Sequence, residues 1–454
     1  MNVVIFGASM VGSVVAQHVA AEGHDVHVID PDPAAIQDLQ ERLNIRALQG
    51  DAEDLELLSE VDIKKADIVL AVTDSDAGNI VISLITHALN EKARVITWIR
   101  GEQFTTGPNI WRSLPLSKVK VISPERTAID MAMDLLEIPM SFEAVSFLDG
   151  RIRIAGFRLE DSSPLLGKRL ADLDHVDANR TLVVAVDRAG EMIIPTGQFV
   201  FAPGDRIHIT LVAGQELTPA FEFMGMEHNL RILRQHRTTI GGGGRMAMHV
   251  ASRLEKLGVR PTVIENNPDR CEYLTTRLPN SVVIRGDATD GKVLKDCVDG
   301  QTTYISLTGN QETNFTTSIL ARRFGAKRAL TMLDNESYLE AAPDLGIDAA
   351  IHPRLSAVGA MLRYIRNSKV IDASLMAGGK LDALLVEVQY GSRLANRKVK
   401  DADIPKGAIL AAAIKEDAIL LPDGNLTLAP KDKVLVVTPR MNRSMVDELT
   451  LSHH

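Results

Sequence analysis

Hydrophobic residues in this chain come in short bursts divided by glycine-rich or polar breaks, and the first burst sets the pattern. Val3-Val4-Ile5-Phe6 runs into Gly7-Ala8-Ser9-Met10-Val11-Gly12. Val11, Val15 and Val19 then recur at i, i+4 and i+8, a spacing that places them on one helix face, and Gly23 ends that pattern. A second burst ends in Asp30, a third precedes Gly50-Asp51-Ala52, a fourth spans Ile68 to Val72, a fifth Val95 to Ile99, and a last one precedes Pro124. Strands alternating with helical patterns predict a doubly wound parallel sheet covered on both faces.

The same plan returns 235 residues later. Thr238-Thr239-Ile240-Gly241-Gly242-Gly243-Gly244-Arg245-Met246-Ala247 aligns with the first strand and turn, Met246, Val250 and Leu254 repeat the apolar stripe, and Gly258 repeats Gly23. Glu265 stands where Asp30 does, Thr308 where Thr73 does and Asn314 where Asn79 does; Gly286-Asp287-Ala288 comes one residue late. Self-similarity that keeps register over this distance indicates a duplicated domain.

A smaller repeat follows each copy. Ile194-Pro195-Thr196-Gly197 precedes Pro203-Gly204-Asp205, as Leu421-Pro422-Asp423-Gly424 precedes Pro430-Lys431-Asp432. Arg206 to Leu211 alternates, with Ile207, Ile209 and Leu211 on one face and His208 expected on a solvated one. The expected order is an α/β Rossmann-like domain at 1–140, a small β-rich α+β domain at 141–225, a second Rossmann-like domain at 226–368 and a second small domain at 369–454.

Composition narrows the function. A formal charge of −9 and a pI near 5.8 argue against a general nucleic-acid binder, since phosphate backbones require clustered Lys and Arg. Cys271 and Cys297 lack metal-ligand spacing and are too few for a disulfide framework, which suits a reducing cytoplasm. The longest apolar candidate, Ile68 to Leu89, is broken by Asp74, Asp76 and Asn79, so no membrane span is expected.

The chemistry concentrates at the two glycine turns. In a strand-turn-helix unit the glycines permit a tight turn and close approach of a pyrophosphate, while the helix N-terminus faces the phosphates. Asp30 and Glu265 each lie 23 residues after the first glycine of their turn, where a carboxylate accepts ribose hydroxyls and repels a 2′-phosphate. NAD(H), ATP and ADP fit; NADP does not. The candidate nucleotide-binding residues are Gly7, Ala8, Ser9, Met10, Val11, Gly12, Asp30, Asp51, Ala52, Thr73, Asn79 and Arg100 in the first copy. In the second they are Gly242, Gly243, Gly244, Arg245, Met246, Glu265, Asp287, Ala288, Thr308 and Asn314. Ser9 departs from the usual second glycine, and its side chain would crowd a pyrophosphate while its hydroxyl could donate to it. No catalytic or metal-ligating set is read.

As a set these features resemble the TrkA family, whose halves each pair a nucleotide-binding RCK domain with a small C-terminal domain. The resemblance spans essentially the whole chain. It implies a peripheral subunit on the inner face of the cell membrane, a homotetrameric ring, and regulation of a Trk-type (TrkH/TrkG-like) potassium-translocating partner by NAD(H) and ATP/ADP. It also implies a phosphate contact for Arg100 and, at Glu125, a carboxylate near phosphate or a divalent ion; His352 precedes Pro353 in the second copy instead. On the residues alone, Arg100 reads equally as a solvated strand-end arginine. The segment Phe104 to Lys118, with Trp111 and Arg112, departs from the family pattern, and Met131 and Met133 read as packing.

Two other functions share the fold. An NAD-dependent oxidoreductase would need an acid or base near the nicotinamide, yet the small domains offer no shared His/Asp or Lys/Tyr set. A nucleotide sensor acting on another membrane transporter shares every residue argument above.

Overall fold

The computed structural model describes residues 1–51, 54, 57, 60–101, 104, 119–173, 181–213, 218–225, 237–366, 370–405 and 407–439. The first sheet contains β1 (Asn2–Phe6), β2 (Asp25–Asp30), β3 (Arg46–Gln49), β4 (Ile68–Ala71), β5 (Arg94–Trp98) and β6 (Val119–Ile122) in the order β3-β2-β1-β4-β5-β6. All its ladders are parallel. Helices α1 (Met10–Ala21), α2 (Pro33–Arg42) and α3 (Asp76–Leu89) connect its strands. The central strands are buried along their length, as expected of a sheet covered on both faces.

An antiparallel module follows α4 (Pro124–Glu137). Its strands β7 (Glu143–Phe147), β8 (Ile152–Arg158), β9 (Leu182–Arg188), β10 (Glu191–Ile193) and β11 (Arg206–Val212) lie in the order β10-β9-β11-β8-β7, before a short α5 (Thr218–Met224).

The second parallel sheet, β12 (Arg237–Gly241), β13 (Thr262–Glu265), β14 (Val282–Arg285), β15 (Thr302–Ser306), β16 (Arg328–Met332) and β17 (Ala349–Ile351), repeats the first order. Its helices are α6 (Arg245–Lys256), α7 (Pro268–Arg277), α8 (Gly291–Cys297), α9 (Gln311–Arg323), α10 (Glu336–Ala341) and α11 (Pro353–Ile365). The last module has β18 (Val370–Met376), β19 (Leu381–Glu387), a two-stranded pair of β20 (Arg397–Lys398) and β23 (Thr427–Leu428), β21 (Ile409–Lys415), β22 (Ala418–Leu420) and β24 (Lys433–Thr438). Its main sheet runs β18-β19-β24-β21-β22, the connectivity of the first module.

The compact units are not the sequential halves. One comprises Met1–Thr127, Arg354–Ala418 and the chain from Pro422 onward; the other comprises Ala128–Pro353 and Ile419–Leu421. In the first, Val358, Met361, Leu362 and Ile365 of α11 pack with Val11, Val15 and Val19 of α1. In the second, Ala128, Ile129, Ala132 and Leu136 of α4 pack with Val250, Ala251 and Leu254 of α6. Each large buried aliphatic side chain contributes about 1.5–3 kcal/mol. The helix that leaves each parallel sheet therefore belongs to the core built on the other.

One arginine at the start of the fifth strand closes each arrangement. Arg328 donates to the carbonyls of Leu135 (2.5 Å), Ile138 (3.4 Å) and Ser141 around the end of α4. Arg94 donates to Tyr364 (2.9 Å) and Ile365 (3.4 Å) at the end of α11. Both satisfy carbonyls that a helix terminus leaves unpaired.

His208 corrects the expected solvated face. It is fully buried, 3.1 Å from Glu143 and edge-on to Phe142, so β11 is covered on both sides. Alternation marks one apolar face and does not establish that the other meets water.

Candidate nucleotide sites

Each glycine turn is fixed by its own backbone. Gly7 takes φ +111° and Gly242 φ +95°, in a region that favours glycine, and a Cβ at Gly7 would sit 2.7 Å from the Val72 carbonyl oxygen. Gly12 allows α1 to approach the turn, since a Cβ there would fall 1.8 Å from the Gly7 carbonyl oxygen.

Gly244 is different: its φ of −61° and ψ of −175° suit any residue, and the nearest atom to an added Cβ is the Leu307 carbonyl oxygen at 4.0 Å. Ser9 adopts the same conformation at φ −58° and ψ 173°. Neither backbone strain nor packing within the protein calls for glycine at this position. The space it leaves lies where a pyrophosphate approaches.

The acids hold the turns. Asp30 accepts from the Ala8 amide (2.6 Å) and the Asp32 amide (2.9 Å); Glu265 accepts from Gly243 (2.8 Å) and Asn267 (2.7 Å). A carboxylate offers about four lone-pair sites, so each acid retains capacity for ribose hydroxyls.

Helix capping separates α1 and α6 from their neighbours. Asp32, Ser75, Asn267, Asp290, Asn310 and Asn335 each accept an N–H at the start of their helices. Ser9 and Gly244 make no such bond. The amides of Met10, Val11 and Gly12, and of Arg245 and Met246, thus open helices without a capping side chain, an arrangement suited to an anion. Val11 contributes its amide while its side chain lies in the core, and Ala8 is likewise buried.

Asn79 and Asn314 are corrected from ligand contacts to supports. Both are fully buried. Asn79 accepts from the Thr73 amide (2.9 Å) and hydroxyl (2.8 Å) and donates to the Thr73 and Trp98 carbonyls; Asn314 repeats this with Thr308 and Met332. With their amides used on the chain, they tie the ends of the fourth and fifth strands together and set the loops that carry Thr73 and Thr308.

The remaining candidate residues divide. Asp287 forms a local turn with Thr289, whose amide and hydroxyl hold its carboxyl below the usual range, and Ala288 packs in a core with Ile264 and Leu294. Asp51 is exposed, and Ala52 lies outside the described residues. Arg100 donates to the Asp74 carbonyl and pairs with Asp74 and Asp76 at 3.7 and 3.8 Å, so a phosphate would have to compete with those acids. Glu125 lies in the first turn of α4, and His352 sits 3.5 Å from Asp334. Residues 105–118, with Trp111, lie outside the described residues.

Sequence reasoning missed Arg270, whose Nε donates to the Gly243 carbonyl at 2.7 Å. An arginine five residues after Glu265, opposite Ala35 five after Asp30, was the available signal.

Two Rossmann-like domains with uncapped glycine turns, each followed by an antiparallel module, define a duplicated protein of the dinucleotide-binding fold. The TrkA-N domain model matches residues 3–107 and 238–353, and the TrkA-C domain model matches residues 154–214 and 384–450. The chain is 29% identical over 469 residues to the Trk system potassium uptake protein TrkA of Azorhizobium caulinodans, covering 99% of this chain and 98% of that one. It is 27% identical over 442 residues to the TrkA of Halomonas elongata, covering 96% and 95%. It shares its fold with the GsuK RCK domain (TM-score 0.56, 16% identity, 96% of this chain and 92% of that). The GsuK channel bound to NAD gives a TM-score of 0.55 at 16% identity over 99% and 78% of the two chains. The chain belongs to the TrkA family.

Proposed function

We propose that this protein is a regulatory subunit of a Trk-type potassium-uptake system, binding NAD(H) and ATP/ADP in the domains at 1–140 and 226–368 to control a TrkH/TrkG-like membrane partner. The observation that carries the nucleotide reading is the pairing, in both copies, of an uncapped helix N-terminus with a carboxylate at the end of the second strand. The names of the full-length relatives support the potassium-uptake context. No helix among the described residues is long and apolar enough to cross a membrane. The proposed place of action is the inner membrane face, through the partner, and the proposed assembly is a homotetramer.

The protein's role is to bind, not to catalyse. A nucleotide biases the assembly only by binding one conformation better than another. Calorimetry with NADH, ATP and ADP tests the sites: affinity should fall in Asp30→Ala and in Glu265→Ala, and unchanged binding in both rejects the ribose assignment. Reconstituted potassium flux tests the role. Flux through the partner should depend on this subunit and on nucleotide; steady NADH oxidation would instead favour an oxidoreductase.

A further inference from the structure

The two cradles share a backbone and differ in charge. At the first helical position after the turn, the first copy has Met10 and the second Arg245. Five residues beyond the acid stand Ala35 and Arg270, and Arg270 is bonded to the second turn itself. Beside the acid on the third strand stand Gln49, in register with Asp30, and Arg285, in register with Glu265. The far lip carries the same net charge in both copies, Asp74 and Asp76 with Arg100 in the first and Gly309 and Gln311 with Asp334 in the second, so the contrast lies in the three positions around the acid.

We propose that the second cradle selects the more highly phosphorylated nucleotide, a nucleoside triphosphate over a dinucleotide, through Arg245, Arg270 and Arg285, and that the first cradle lacks this selectivity. The inference rests on the nucleotide reading above. A triphosphate carries more negative charge than the bridging pyrophosphate of NADH, and charge-assisted bonds to guanidinium groups are among the stronger polar contacts. Around Asp30 the same positions offer no cation to take up that charge. The ratio of ATP to NADH affinity should be roughly tenfold to a hundredfold higher in the second cradle, the scale of one or two such bonds. It should also fall more steeply with salt.

The open space at Gly244 supplies a clean test in the full-length protein. Gly244→Leu fills the second cradle and Ser9→Leu the first, at a backbone conformation any residue adopts. Calorimetry with ATP, ADP and NADH on each blocked protein, with circular dichroism to confirm folding, reads one cradle at a time. The expected result is a higher ATP-to-NADH ratio in Ser9→Leu than in Gly244→Leu. Adding Arg245→Met with Arg285→Gln to the former should lower its ratio towards that of the latter, and adding Met10→Arg with Gln49→Arg to the latter should raise its ratio towards that of the former. Equal ratios in the two blocked proteins, or a difference that neither exchange moves, overturn the selectivity. Loss of all nucleotide binding from the unblocked protein overturns the underlying reading instead.

Discussion

The helices that leave the two parallel sheets, α4 and α11, do the same job with opposite charges. At the end of α11, Arg366 is buried between Glu22, which follows α1, and Asp382 on β19, at 2.6 and 3.1 Å. In the other unit the helix carries the acids: Asp134 and Glu137 face Arg153 on β8, the strand position that Asp382 occupies in β19. A duplicated chain must keep its halves from pairing wrongly. Were α4 docked on α1, Glu137 would bring a second buried carboxylate to Glu22; were α11 docked on α6, Arg366 would meet Leu257 there. Reversed polarity makes each helix fit one partner, a use of buried ions for registry over net stability.

Removing the cation should give the largest effect. Arg366→Met leaves Glu22 and Asp382 buried without their counter-charge, and chemical denaturation should show a loss of about 3–5 kcal/mol. Adding Glu22→Leu, the residue of the other copy, should restore part of it. No recovery would place the role of Arg366 outside this pair.

The turns give the next comparison. Gly12→Ala drives a methyl group into the Gly7 carbonyl and should cost about 3 kcal/mol while abolishing nucleotide binding to the first cradle. The second copy already carries Ala247 at that position, and Ala247→Gly should cost only about 1 kcal/mol, the helix-propensity difference. Equal effects would show that the two turns pack alike. The strand-start arginines follow: Arg328→Met should cost about 2 kcal/mol, since it strips buried helix-end carbonyls of their donor, and Arg94→Met about half that, its site being less buried.

Much of this was legible in the chain. Both parallel sheets and the acids after the second strands follow from apolar bursts and a register that repeats. The helix exchange was not, because periodicity shows that α4 and α11 have apolar faces and leaves open which sheet receives them. Asn79 and Asn314 show a subtler limit: their shared spacing from Thr73 and Thr308 correctly marks a common role, yet burial makes that role structural. Arg94 and Arg328 occupy matching strand starts, a signal that gains meaning only once the helix ends above them are placed. Gly244 was read from its motif, whereas its real distinction is that the fold does not need it.

The smallest effect separates α4 from α11 by pH. Burial pushes the Asp134 carboxyl up to about 6, despite a hydrogen bond from Ser146 and attraction to Arg153, with Glu137 and Asp130 adding to the rise. Its folded-state value lies above the 3.8 of the free side chain, so between about pH 4 and 6 the folded protein binds more protons than the unfolded chain. Stability from this group is therefore present at low pH and lost as pH rises through that window. Asp134→Asn keeps an acceptor for Ser146 and holds the site neutral, so it should raise stability at pH 8 by on the order of 1–2 kcal/mol and leave it nearly unchanged at pH 4. At the matching position α11 carries Arg363, which stays charged throughout, so Arg363→Gln should shift the unfolding midpoint equally at both pH values. A pH-independent response to Asp134→Asn would mean that Arg153 and Ser146 keep the carboxylate ionised, and that the two helices differ in the sign of their charges alone.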